Sequence, residues 1–265
     1  MKLLKNKELM RVVINSICLC IAILLYLLSS LLKVIFNTPI VIAVTILIVV
    51  IIGLEFIFKG KEKIKKVVVL INEYIQIFLF AVLIIEFLFA FIMFPATVNQ
   101  NSMYPTLLPN DQLIIKCTND LKNKDIVVFK YDKEIQGQHA GVPDGELLIK
   151  RIICSPGQTF KYIGSELYID GVRVEDEFAV NEMDGLSLEY VCKLNGMEEQ
   201  CLQSDGSYKV PEGWYVVFGD NRQYTGSEIP LSIDSRTFGL VHESQIFGVA
   251  KYEIETIFNW RKLGD

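Results

Sequence analysis

Hydrophobic and polar positions divide the chain into two unlike parts. No charge interrupts the apolar run Val12 to Leu32. Only Glu55, near the end, interrupts Pro39 to Phe58, and only Glu86 interrupts Tyr74 to Pro95. Each run is long enough for a helix to cross a bilayer core, which takes about 20 residues. After Pro95 the pattern changes. Gln112–Cys117, Ile126–Tyr131, Leu147–Ile153, Glu166–Ile169 and Trp214–Phe218 are brief runs rich in Val, Ile, Phe or Tyr, with turn residues between them. They read as strands. Asp170-Gly171, between Tyr168-Ile169 and Val172-Arg173-Val174, is a two-residue hairpin signal. No stretch here sustains an amphipathic helical period. The acidic, weakly patterned segment Glu175–Ser207 reads as an inserted loop or a long hairpin. The prediction is a membrane anchor over 1–95 with three transmembrane helices, at about 12–32, 39–58 and 74–95. A mainly β domain follows over 96–265.

Charge gives this division a direction. Residues 1–95 hold ten Lys/Arg against five Asp/Glu, and residues 96–265 hold sixteen against twenty-six. The segment Lys59 to Lys66 has five lysines in eight residues, which marks it as cytoplasmic. With a basic start at Lys2, Lys5, Lys7 and Arg11, this predicts a multi-pass protein of the cell membrane. Its N-terminus is cytoplasmic, and everything after Pro95 lies on the extracytoplasmic face. A cleavable signal peptide would have a shorter apolar core and a small-residue exit. Here the first run ends at Lys33 and a second follows at once. The acidic second half argues against nucleic acid as a partner. Glu86, well inside its run, is by depth a functional candidate, with a protonated or helix-paired acid as the plainer reading.

Cysteine and histidine narrow the chemistry. Cys18 and Cys20 fall in the first run. Cys117 and Cys154 fall in expected strands and read as buried thiols. Cys192 and Cys201 flank an eight-residue polar loop and are a candidate disulfide in an oxidising exterior. No spacing suggests a metal site, and no cofactor is expected. His139 and His242, the only histidines, lie beside no serine or cysteine motif that suggests a triad.

Asn101-Ser102-Met103-Tyr104-Pro105-Thr106-Leu107 follows the last apolar run closely. A serine needs a base to become a nucleophile. Lysine serves only as a neutral amine. From a reference pKa of about 10.4, half-neutrality near pH 7.5 costs about 4 kcal/mol, which desolvation can supply. Lys150 fits, as a lone charge on one face of the apolar strand Glu146 to Ile153, with Arg151 on the opposite face. Met103 would supply apolar cover beside the serine. A third block runs Phe218-Gly219-Asp220-Asn221-Arg222, then Ser232-Ile233-Asp234-Ser235-Arg236-Thr237-Phe238-Gly239. Asp234 and Arg236, two apart on a strand face, are placed to pair. Ser232 is placed to hold the lysine amine.

Together these blocks resemble the type I signal peptidases, membrane-bound Ser/Lys endopeptidases that remove signal peptides from exported preproteins. The matching motifs are Ser102-Met103-x-Pro105-Thr106-Leu107, Lys150-Arg151-Ile152-Ile153-x-x-Pro156-Gly157, Gly219-Asp220-Asn221-Arg222, and Ser232-x-Asp234-Ser235-Arg236-x-Phe238-Gly239. The likeness covers about Val98 to Val249. It implies an antiparallel β-sheet catalytic domain, with Ser102 as nucleophile and Lys150 as general base. Ser232 would orient the amine, and Asp234 and Arg236 would form a structural ion pair. The Ser102 backbone N–H would be an oxyanion donor. Val98, Met103, Leu107, Leu148 and Ile149 would shape shallow apolar pockets. The implied partners are the signal peptides of preproteins emerging at the lipid bilayer.

Three departures stand out. Many relatives have Ser or Thr two residues before the nucleophile, where this chain has Gln100; either its amide donates to the oxyanion or the hole relies on backbone alone. Gln223–Leu231 is an insertion close to the site. Cys154 occupies a position where Gly or Ala is usual. Two other readings stay open. One is a dedicated processing protease for a narrow client set, such as pilus or surface proteins, which Gln100 and the insertion would mark. The other is a non-catalytic membrane-anchored β-domain that binds partners; loss of Ser102 or Lys150 would mark it, and both are present.

Ser102 comes seven positions after Pro95. Even fully extended, that stretch reaches only about 25 Å. The serine is therefore expected close to the outer membrane surface.

Overall fold

A computed structural model describes the chain except for residues 1–9, 11–12, 19, 25–37, 58–61, 138–141, 179–184, 223–231, 257 and 264–265. The chain divides into two compact units, Met1–Met93 and Phe94–Asp265.

The first unit is helical. Residues 13–18 and 20–24 are helical; the rest of the expected first span, 25–32, lies outside the described residues. Helices follow over Thr38–Ile57 and Glu62–Phe91. The last differs from expectation at both ends. Its first turns take up part of the lysine-rich segment expected to be a loop, because Lys and Glu are good helix formers. It stops at Phe91 rather than Pro95, since a proline ring collides with the carbonyl four residues earlier and lacks an N–H to donate. Among the described residues one helical stretch, Leu70–Phe89, is long and apolar enough to cross a membrane; Val13–Leu24 and Ile42–Ile51 are shorter apolar stretches. Asn72, Gln76, Leu79, Leu83 and Glu86 are buried. Their spacing of four and three puts them on one face of the helix. Gln76 on this face donates to Asn15 Oδ1 at 2.7 Å.

The second unit is mainly antiparallel sheet. The strands of the larger sheet are β1 (Met93–Thr97), β2 (Gln112–Lys116), β3 (Ile126–Lys130), β4 (Leu147–Cys154), β8 (Trp214–Phe218), β9 (Val241–His242), β10 (Ile246–Thr256) and β11 (Asn259–Lys262). Their order is β1-β2-β10-β3-β4-β8-β9, with β11 paired to β10. A smaller sheet holds β5 (Phe160–Ile163), β6 (Glu166–Ile169) and β7 (Val172–Val174). The β6–β7 turn has positive φ at both Asp170 and Gly171, as a tight two-residue hairpin demands.

Alternation along the central strands sorts two cores. On β8, Tyr215 and Val217 join one cluster with Val127, Phe129, Leu148 and Ile152. Val216 and Phe218 join the other with Ile153, Phe160, Leu167 and Val191. Lys150 lies between Leu148 and Ile152 on the first face, and Arg151 points to the second. Cys154 is fully buried in the second core. An extra residue on β4 shifts the register with β8 between Ile152 and Cys154.

Two expectations change here. The segment Glu175–Ser207 is not a loop or β-hairpin in its described part. It contains short helices over Leu188–Leu194 and Glu198–Cys201, joined by a Cys192–Cys201 disulfide. Asp234 and Arg236 do not share a strand. Asp234 caps the helix Ser235–Phe238, which contains Arg236.

Candidate active site

Ser102 sits in a single 3-10 turn, Asn101–Met103, between β1 and β2. Local bonds shape the turn: Tyr104 N donates to Asn101 O at 3.1 Å, and Leu107 N to Met103 O at 3.0 Å. Met103 and Leu107 have no accessible surface, so the turn is anchored from the core side. The segment after β8 holds it from another direction. Asn221 N donates to Ser102 O at 3.0 Å, and Asn221 Nδ2 donates to Asn101 O at 3.1 Å.

β4 delivers Lys150, only 2% exposed, to this turn. Its Nζ lies 2.8 Å from Ser102 Oγ and donates to the Ile149 carbonyl at 2.8 Å. Burial pulls the amine down from the usual lysine value to about 8. Asp234 pulls the other way, Arg236 works with burial, and Asp220 and Glu146 oppose it. A neutral amine has two N–H groups and one lone pair. With one N–H on Ile149 O, the lone pair can accept the serine proton.

Asp234 and Arg236 form the expected pair. Arg236 Nε donates to Asp234 Oδ1 at 2.9 Å and Nη2 to Oδ2 at 2.7 Å. Asp234 Oδ2 also accepts from Gly219 N at 2.8 Å. Burial raises the Asp234 carboxyl, but the Arg236 guanidinium and the N–H donors outweigh it and hold the group below the usual aspartate value.

Ser232 departs from its expected contact. Its hydroxyl is buried with no hydrogen-bond partner and does not bond the lysine amine. It lies instead against Gly219, where an added Cβ would come within 2.1 Å of Ser232 Oγ and 2.3 Å of the Ser102 carbonyl oxygen. Val98 and Leu148 are buried, Ile149 is half-buried and Gln100 is exposed. The Gln100 side chain makes no capping bond to the serine turn. The insertion 223–231 and His139 lie outside the described residues. His242 accepts from Ser244 N and packs edge-on against Trp214.

Several supporting residues stand in the matching motifs but were given no role from the sequence. Asp220, 2% exposed, makes a two-armed pair with Arg151, with Nε to Oδ1 at 2.8 Å and Nη2 to Oδ2 at 2.5 Å. Thr106 Oγ1 donates to the same carboxylate at 2.6 Å. Arg222, with no exposure, donates to Gly219 O at 2.6 Å, Tyr162 Oη at 2.9 Å and Asp176 Oδ2 at 2.7 Å. The signal was present. An arginine facing away from Lys150 into a core needs a carboxylate, because buried charges are paired.

The arrangement is a serine and a desolvated lysine in hydrogen-bond contact, with no histidine or metal ligand drawn into it among the described residues. Such a pair can deprotonate a hydroxyl and attack a carbonyl.

Comparison with known proteins identifies the family. A family model described as signal peptidase, peptidase S26, matches residues 71–254. Signal peptidase I V of Bacillus subtilis (strain 168) is 34% identical over 152 residues, which are 56% of this chain and 77% of that protein. Signal peptidase IB of Staphylococcus aureus is 28% identical over 166 residues, 61% of this chain and 78% of that one. Among solved structures, a signal peptidase I from Enterococcus faecalis V583 shares 28% sequence identity, covers 49% of this chain and 96% of its own, and has a TM-score of 0.33.

Proposed function

Because the chain belongs to the signal peptidase family, peptidase S26, we propose that Ser102 and Lys150 carry its reaction. The protein is a serine endopeptidase that removes signal peptides from preproteins. The observation that supports this dyad is the 2.8 Å contact between Lys150 Nζ and Ser102 Oγ, both buried.

Neutral Lys150 takes the Ser102 proton as Oγ attacks the scissile carbonyl carbon. The Ser102 backbone N–H stabilises the oxyanion, with the Gln100 amide as second donor. Collapse of the tetrahedral intermediate breaks the C–N bond, and the lysine ammonium returns its proton to the leaving amine. This gives the new N-terminus of the mature protein and an acyl-serine. Lys150, neutral again, deprotonates a water that attacks the acyl carbon; the C–Oγ bond breaks, the lysine ammonium returns the proton to Ser102 Oγ, and the signal peptide leaves. No step calls for a metal or cofactor. Asp234 and Arg236 fix the Gly219 backbone behind the dyad. Ser232 packs against that backbone at Gly219 and makes no bond to the amine. Val98, Leu148 and Ile149 line the approach for small apolar side chains, backed by Met103 and Leu107.

The family is membrane-anchored with its catalytic domain outside the cytoplasm. For this chain we read three spans within residues 1–95, an N-terminus in the cytoplasm and the bilayer as a standing partner. The apolar helices Thr38–Ile57 and Leu70–Phe89 and the lysines between them support that reading.

The test is cleavage of a purified preprotein in detergent by the full chain and by Ser102→Ala and Lys150→Ala. Loss of processing in both variants is expected, and equal processing by all three overturns the dyad.

A further inference from the structure

The turn that carries Ser102 continues into Thr106, which is held from two sides. Its hydroxyl donates to buried Asp220 at 2.6 Å. Its carbonyl oxygen accepts from Arg261 Nη2 at 2.9 Å. Arg261 comes from β11, the last strand, and is aimed by its cross-strand partner on β10. Glu253 and Arg261 stand opposite each other in the register, and Arg261 Nε donates to Glu253 Oε2 at 3.0 Å. The Glu253 side chain is 11% exposed and that of Arg261 45%. The glutamate is thus the fixed end, and the guanidinium reaches outward to the serine segment. β11 lies beyond residue 254, where the family match ends.

We propose that Arg261 is a positioning residue for the reaction, holding the segment Ser102–Thr106 in register with Lys150 from a strand outside the family-matched part of the chain. The inference rests on Ser102 as nucleophile. Asp220 and Asn221 hold the segment on its inner side, and Arg261 is the outer restraint. Without it the segment keeps its inner bonds but gains freedom four residues from the reacting oxygen. A misplacement of about 1 Å at a nucleophile can cost about 100-fold in rate. Substrate binding is left largely intact, so the effect falls on kcat.

Arg261→Lys separates positioning from simple support. In the native pair Nη2 bridges Glu253 and the Thr106 carbonyl while Nε ties the same guanidinium to Glu253; a lysine keeps a charge opposite Glu253 but loses the Nε contact and the rigid plane that aim the bridging nitrogen. In detergent, with the full chain and a preprotein substrate, Arg261→Lys is expected to lower kcat about three- to tenfold. KM should stay within about twofold and the melting temperature within about 2 °C. The lower limb of the pH–rate profile should stay where the wild type has it, since the surroundings of Lys150 are untouched. A kcat within twofold of wild type overturns the proposal. So does a change confined to KM, or a loss of kcat that comes with a lower melting temperature. Ser102→Ala in the same assay keeps the two ideas apart. If it retains activity, the dyad reading fails; if it is inactive while Arg261→Lys is normal, only the role of Arg261 fails.

Discussion

The backbone N–H of Asn221 donates to the carbonyl oxygen of Ser102 at 3.0 Å. The segment after β8 therefore grips the serine turn by its main chain, and Gly219 lies at the closest approach. Gly219 needs no unusual φ; it needs to lack a side chain. A Cβ there would stand 2.3 Å from the Ser102 carbonyl oxygen, and no side-chain rotation relieves a clash with backbone. Gly219→Ala is expected to cut preprotein cleavage by at least about 100-fold and to lower stability by about 1–3 kcal/mol. Cleavage rates and thermal unfolding of the same preparation check this. Activity within tenfold of wild type would mean that the grip is loose.

The Asp234–Arg236 pair gives a prediction with a pH sign. Both side chains are almost wholly buried. Asp234→Ala strands a buried guanidinium and should cost about 3–5 kcal/mol. The Asp234 carboxyl is held below the usual aspartate value. Its contribution is therefore complete above about pH 4, where an unfolded aspartate is ionised, and is lost as pH falls through the lower folded value. Denaturant unfolding of wild type and Asp234→Asn should show a gap that is constant at neutral pH and narrows in strong acid. A gap independent of pH down to the acid limit would refute the linkage.

How far these relationships were legible in the chain depends on the distance over which each is decided. The hairpin at Asp170-Gly171 was legible because two adjacent residues decide it. Lys150 was legible as one charge in an apolar strand, and its contact with Ser102, 48 residues away, followed from chemistry rather than pattern. β10 was not legible. Three register shifts along its length break the alternation that marks a strand. The helix Ser235–Phe238 is a single turn, too short to show a period, so Asp234 and Arg236 were assigned the right partner on the wrong element. The Arg151–Asp220 pair depends on the register that sets Arg151 opposite Phe218, which no local reading supplies. Ser232 shows the limit most clearly. Its residue type fits a bond to the amine, but the fold presses its hydroxyl against Gly219.

The Cys192–Cys201 disulfide closes a short loop between two small helices, with a sequence separation of nine. A loop of this length is worth about 2–3 kcal/mol through the unfolded chain. Both sulfurs belong to the core that also holds Phe218 and Leu240, not to the dyad. The double variant Cys192→Ala with Cys201→Ala should lose about that much stability and melt earlier. Its kcat at 25 °C should remain within about twofold of wild type. A larger drop in kcat without a drop in melting temperature would tie the helical pair directly to the chemistry.

Lys150 joins activity and stability in one titration. Burial brings its amine to about 8, while an unfolded lysine titrates near 10.4. The neutral form is the base, so the rate should rise with pH along a lower limb centred near 8. A limb that rises only above pH 10 would contradict a desolvated lysine. The same displacement works against the fold. Between about pH 8 and 10.4 the unfolded chain binds a proton that the folded chain does not, so stability rises with pH across that window. Below pH 8 both states hold the proton, and the whole cost of burying the charge, about 3 kcal/mol, is present. Lys150→Met has similar reach and no charge to bury. It should abolish cleavage yet melt higher than wild type at pH 7, with the advantage shrinking as pH climbs from 8 towards 10.4. Melting curves of the two proteins at pH 7, 9 and 10 decide the matter. A Lys150→Met protein that is less stable than wild type at pH 7 would show that the lysine is not held under desolvation strain.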